Sequence, residues 1–168
     1  MEEEAKITSS YFTQGAIRPM ALAERTATTV WTGDLASGSG ELTFGTGAIG
    51  AQPVSWAART ESSDGKTSPE ELLAAAQASC LAMALSAGLA RAGHPADRLE
   101  VRATATLDRV DGAPTVTQMD IRIEGSVPGM GEAAFEEAAR AAASGCPIAR
   151  ALKGNVHQNV SARLLTTA

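Results

Sequence analysis

The sequence predicts an α+β fold built around an antiparallel or mixed sheet. Three features point there. Residues 68–92 form a long, apolar, well-punctuated helical run. Two alternating runs, RLEVRATATLD and VTQMDIRIEGSV, flank an Asp-Gly turn after it. The order is strands, long helix, hairpin, helix and closing strand, with no repeated βαβ unit.

At 168 residues the chain is one domain of ordinary size, long enough for a real core. Residues 1–21 lack periodicity and begin with Glu2, Glu3 and Glu4, so they read as a disordered or loosely packed tail ahead of a single domain over 22–168. The opening MEEEAKITSS has no basic stretch leading into an apolar one, as a secretory signal would. The net charge is −5 and no basic face with interleaved aromatics occurs, so nucleic acid is not an expected partner. No uninterrupted apolar stretch reaches about 18 residues, which argues against a membrane partner. Two cysteines in a chain read as cytoplasmic are no disulfide framework; they suit buried residues, metal ligands or redox thiols.

ERTATTVWTG is strand-like, DLASGSG is a turn cluster, and ELTFGTGAIG and PVSWAA read as short, Gly-interrupted strands ending at Arg59. ESSDGK is a loop. Ser68 then suits an N-cap, Pro69 the first helical position, and Glu71 the far side of a capping box. Leu73, Ala76, Cys80, Ala84 and Ala87 fall at helical spacing, and Leu72, Leu81, Met83 and Leu85 widen the apolar surface nearly all round. Such a helix is a buried central one, and one copy of this chain has little sheet to cover it, so a homodimer is expected. Gly93 and Pro95 end it. Leu99, Val101, Ala103, Ala105 and Leu107 share one strand face, and Met119, Ile121 and Ile123 another, about the Asp111-Gly112 turn. After Pro128-Gly129, EAAFEEAARAAAS is helical. CPIARALKG is a further short helix with Pro147 at its first position, and NVHQNVSARLL is the last strand.

Cys80, in mid-helix, suits a small core residue as well as a thiol with chemistry. It lies about three turns past its own helix start, beyond the reach of that dipole, so ionisation would need a cation from elsewhere. Cys146 occupies the N-cap of a new helix, where amide groups and the dipole favour a thiolate, although a Gly-Cys-Pro junction also serves as a packing corner. Arg59 stands just before the loop into the Cys80 helix. Glu70 is in that helix's first turn, and ten residues place it within roughly 80° of the Cys80 face. An arginine bridging Glu70 and a Cys80 thiolate is one constellation; a surface Glu70 complementing the dipole is the other.

TSPEELLAAAQASCLAMAL, followed 66 residues later by CPIARALKGNV, resembles the OsmC/Ohr family of thiol-dependent peroxidases. WTGDLASGSGEL is more similar to the OsmC branch, and the likeness covers about residues 25–165. The resemblance implies an OsmC-like α+β fold: an intertwined homodimer with long central helices, outer antiparallel or mixed sheets, and two active sites at the subunit interface. It implies that Cys80 is the peroxidatic cysteine, Cys146 the resolving one, Glu70 the motif glutamate, and Arg59 the arginine that activates the thiol. Gln77 stands where relatives often carry His or an aromatic residue. The implied substrates are organic hydroperoxides, and the implied reductant is an external dithiol, typically a lipoyl group on a protein, with no bound cofactor or metal. Three other readings compete: a Cys80, Cys146, His94 and His157 metal site, which lacks ligand spacing; a non-catalytic dimeric binding module; and a cysteine hydrolase, which lacks a His base.

Overall fold

The computed structural model describes residues 21–165. The tail expected over 1–21 therefore lies, up to residue 20, outside the described residues. Within them run β1 (Ala27–Thr32), β2 (Ser39–Phe44), β3 (Gln52–Val54), α1 (Trp56–Thr60), α2 (Pro69–Arg91), β4 (Arg98–Val110), β5 (Ala113–Ser126), α3 (Glu132–Gly145), α4 (Pro147–Leu152) and β6 (His157–Leu164). The α+β expectation holds, with two three-stranded sheets. The first, β1-β2-β3, is antiparallel; the second, β4-β5-β6, is mixed, with β5 and β6 parallel.

The turn chemistry acts as its residue types dictate. Asp34 Oδ1 accepts from the Ala36 and Ser37 amides, both at 2.9 Å, and Oδ2 accepts from the Ser37 hydroxyl, closing the β1–β2 loop. Those bonds, the Ser37 hydroxyl first, hold the Asp34 carboxyl below its ordinary range. Asp111 and Gly112, at φ 51° and 82°, make a two-residue turn that brings Val110 opposite Ala113. Along that hairpin Val101 faces Ile123, Ala103 faces Ile121 and Ala105 faces Met119. A bulge at Thr106/Leu107 then shifts the register.

Two readings of the first half need correction. GTGAIG is loop, and pairing of the next strand stops at Val54. Arg59 sits on α1 and not at a strand end. Ser55 caps that turn, its hydroxyl accepting from the Ala58 amide, and Ala57-Ala58 favour helix over a ladder with only three partners on β2.

Helix α2 starts as expected: the Ser68 hydroxyl accepts from the Glu71 amide. The capping box is half made, because Glu71 Oε2 accepts from the Thr67 hydroxyl at 2.7 Å. At the far end the His94 amide reaches the Leu89 carbonyl and the Gly93 amide that of Ala90, satisfying the last carbonyls. The buried stripe is Glu70, Ala74, Gln77, Leu81, Leu85 and Leu89, offset from the stripe expected through Leu73 and Cys80. It packs on β4 and α3, joining Met119, Ile121, Ile123, Phe135 and Ala139 in one core. The rest of the helix is less covered, and Met83 is 67% exposed. By length and composition alone α2 is apolar enough to span a bilayer, a test that core helices also pass, and here its stripe packs on protein. The first sheet packs chiefly within itself, leaving Val30, Trp31 and Leu35 exposed.

Gly125 tests the core's tightness. A Cβ there would lie 2.5 Å from Phe135 Cζ and 3.1 Å from Leu99 Cδ2. The Phe135 ring is fully buried and has no room to retreat. Gly125→Ala should therefore destabilise the fold by about 1–3 kcal/mol, read as a lower urea midpoint at unchanged slope.

Candidate active site

Two segments 66 residues apart converge on one point. Cys80 sits in the middle of α2, partly exposed. Cys146 is the hinge residue between α3 and α4, extended at φ −61° and ψ 127°, and fully buried. Its amide donates to the Ala142 carbonyl and its carbonyl accepts from the Arg150 amide, so the backbone at this residue is tied on both sides. Pro147 suits the first position of α4, since no amide hydrogen is needed there. This junction drops Cys146 onto α2. Its thiol donates to Cys80 Sγ across 2.7 Å, and both cysteines are free.

The Cys80 thiol is held above its ordinary range. Partial burial, which disfavours the thiolate, is the first cause; the hydrogen bond and the charge of Cys146 add to it. The Ile148 backbone N–H, facing Cys80 from the start of α4, works the other way. So α2's own dipole does not reach Cys80, as the sequence indicates, but an amide of a second helix does.

Gln77 is the neighbour that the sequence reading left outside the site. It lies one turn before Cys80, is fully buried, and its Nε2 stands 4.0 Å from Cys146 Sγ. Its Oε1 has no hydrogen-bond partner among the described residues. The available signal was its position three residues before Cys80 in an otherwise apolar helix centre.

Arg59 and Glu70 meet as expected. Glu70 Oε1 accepts from Arg59 Nε at 2.9 Å and from Nη2 at 2.7 Å. The guanidinium also stands 5.8 Å from the centre of the Trp56 ring, a contact the sequence did not suggest. An open cavity of ≈ 550 Å³ beside them is lined by Arg59, Glu70, Ala74, Ala103 and Leu107. Within one chain this pair is not brought to the thiols: ten residues of helix put Glu70 and Cys80 about 15 Å apart. Among the described residues no cluster of three or more His, Cys, Asp and Glu side chains gathers as metal donors.

Fold and site together define an α+β protein with two non-vicinal thiols held in contact. Residues 62–161 match the family model described as OsmC-like protein. The chain belongs to the OsmC family. It is 35% identical over 126 residues to a protein named peroxiredoxin OsmC in Escherichia coli K12, covering 75% of this chain and 87% of that one. A protein of the same name in Shigella flexneri matches equally. The fold is shared with the crystal structure of an organic hydroperoxide resistance protein from Elizabethkingia anophelis, at TM-score 0.68 and 19% identity over 88% of this chain and all of that one. It is shared also with that of an organic hydroperoxide resistance protein OsmC from Legionella pneumophila, at TM-score 0.67 and 19% identity over 85% and 98%.

A raised thiol pKa favours the protonated form in the fold, so Cys80 thiolate accumulates only as pH climbs through the raised value. Removing Cys146 removes its hydrogen bond and its charge and leaves burial and the Ile148 amide. Alkylation of Cys80, followed peptide by peptide against pH, should thus show a lower midpoint in Cys146→Ala than in the parent chain.

Proposed function

We propose that this protein is a thiol-dependent peroxidase that reduces organic hydroperoxides through Cys80 and Cys146. The observation that carries the proposal is the meeting of two free thiols, one reachable and one sealed, in an OsmC-family chain. Peroxidase-type activity as such is supported by the name of the relative at 35% identity.

The exposures support the roles. Only Cys80 can meet a peroxide arriving from solvent. Its thiolate attacks the hydroperoxide's terminal oxygen; the O–O bond breaks, the alkoxide leaves and takes a proton, and Cys80 becomes a sulfenic acid. Cys146, as thiolate, attacks the Cys80 sulfur. The S–S bond forms, the S–O bond breaks, and hydroxide leaves as water after protonation. An external dithiol, of the lipoyl type carried on a protein, then reduces the disulfide by exchange. Ala76 and Ala84, one turn to either side of Cys80 and partly exposed, favour an alkyl group over bare hydrogen peroxide.

The same proposal includes a homodimer. A cation is needed because burial and Cys146 oppose ionisation of Cys80, and the Arg59–Glu70 pair of the same chain is too distant. A second copy would bring its own Arg59, aimed by its own Glu70, to the Cys80 pair. The uncovered first sheet and the exposed Met83 face of α2 support such an intertwined assembly.

Peroxide consumption with dihydrolipoamide as reductant tests the chemistry. Cys80→Ser should abolish turnover; Cys146→Ser should consume one equivalent and then stall or over-oxidise. Faster turnover is expected with tert-butyl or lipid hydroperoxide than with hydrogen peroxide. Full activity in Cys80→Ser would refute the assignment. Sedimentation should show a dimer and not the 17.2 kDa chain alone. In that dimer Arg59→Ala should raise the Cys80 alkylation midpoint and cost more activity than Glu70→Ala, with Arg59→Lys restoring part, since an ammonium lacks the planar fork.

A further inference from the structure

The geometry points to Gln77 as the positioning residue of the disulfide-forming step, its amide bridging the attacking Cys146 thiolate and the hydroxyl of the Cys80 sulfenic acid. This rests on the peroxidase reading above and deepens it.

Two observations mark Gln77; the other buried side-chain oxygen without a partner among the described residues, Glu70 Oε2, belongs to the Arg59 pair. It is a fully buried polar side chain in an apolar stripe between Ala74 and Leu81, where a leucine or methionine would pack without cost to a polar group. Its two ends are unequally used: Nε2 faces Cys146 Sγ, while Oε1 has no partner among the described residues. A buried carbonyl oxygen left unpaired has given up its hydrogen bond to water with none in return, so a resting structure gains nothing from it.

The chemistry supplies the missing partner. Reduced Cys80 carries no group that needs a strong acceptor, whereas oxidised Cys80 carries an S–O–H. Side chains on a helix lean toward its N-terminus, and Gln77 is three residues N-terminal of Cys80, so the Cys80 sulfur lies over the Gln77 turn. The new hydroxyl then donates to Gln77 Oε1, turning the oxygen away from the line along which Cys146 approaches. At the same time the Gln77 N–H donates to Cys146 Sγ and holds that sulfur toward Cys80. The displacement follows: the S–S bond forms, the S–O bond breaks, and the hydroxide departs as water after gaining a proton. Gln77 gains and loses no covalent bond in the step.

Gln77→Met keeps the shape of the side chain and removes the amide. It should fold, lose none of its melting temperature, and consume the first equivalent of tert-butyl hydroperoxide at the parent's rate. Disulfide closure, followed by quenched-flow alkylation and intact mass, should slow about tenfold to a hundredfold, with sulfinic acid on Cys80 taking the lost yield. Gln77→His retains an N–H donor and an acceptor and should recover closure; Gln77→Leu repeats the amide deletion should the Met variant not fold. Closure at the parent's rate in the amide deletion overturns the inference. So does slow closure in Gln77→His equal to that of the deletion, because packing would then be the cause. The parent protein separates the two layers of argument. If its Cys80 gives neither a dimedone adduct nor a disulfide with the peroxide, the peroxidase reading fails and this inference with it. If the parent closes normally and the deletion matches it, this inference alone fails.

Discussion

Packing of the α2 stripe against β4 and α3 fixes where every reactive group stands. Leu81, Leu85 and Leu89 are fully buried there, and each contributes about 1.5–3 kcal/mol through removal of apolar surface from water. A hydrogen bond at the site contributes about 0.5–1.5 kcal/mol. Apolar burial therefore sets the position and rotation of α2, and the polar groups adjust to it. That rotation sends Glu70 and Gln77 inward on the same stripe as the leucines, and leaves Cys80 at its margin, half-buried. The α3–α4 junction is seated on the same core through Ala139, Ala143 and Leu152, which brings Cys146 to that margin from the other side.

Electrostatics at Cys80 is a contest in which magnitudes decide. Burial and the neighbouring Cys146 raise the thiol, and a single amide, that of Ile148, opposes them. Arg59 of the same chain is not among the groups that shift the thiol: its partner Glu70 stands about 15 Å along α2 from Cys80, and salt at 0.15 M screens exposed charges beyond about 8 Å. A guanidinium within about 4–6 Å would lower a thiol by one unit or more. In the proposed cycle a cation from outside the chain would offset burial and Cys146, and the bare faces of the first sheet and of α2 leave surface for the copy that would bring it. In the proposed assembly one arrangement, a second copy, supplies the cation and covers those faces.

Local signals in the sequence carried much of the fold. Ser68-Pro69, Asp111-Gly112 and Cys146-Pro147 mark element ends through hydrogen-bond chemistry that depends on few neighbours, and the strand alternation from Leu99 to Ile123 needs only one buried face. The two thiols and the Arg59–Glu70 pair were named from residue types and motif context. What was illegible depended on tertiary contacts. Helix α2 is apolar on nearly every side, so periodicity could not say which stripe faces the core, and the stripe through Cys80 was preferred over the one through Gln77. Helix α1 is five residues long, below the length at which periodicity means anything; Ser55 and the pull of Glu70 on Arg59 decide it. Trp56 and the Ile148 amide act by proximity alone, for which no sequence spacing exists.

The unequal burial of the two sulfurs has a kinetic meaning in the proposed cycle. A sulfenic acid on Cys80 faces two fates: attack by Cys146 or attack on a second peroxide. The first is intramolecular, from a sulfur already in contact and held by a backbone tied at Ala142 and Arg150, so its effective concentration exceeds any free peroxide concentration by orders of magnitude. The second requires another peroxide to enter on the exposed side. Because Cys146 is sealed, peroxide cannot oxidise it first and disable resolution. Rigid placement rather than strong activation is thus the protection built into the chain. It leaves the speed of the first oxidation to whatever cation the assembly brings to Cys80.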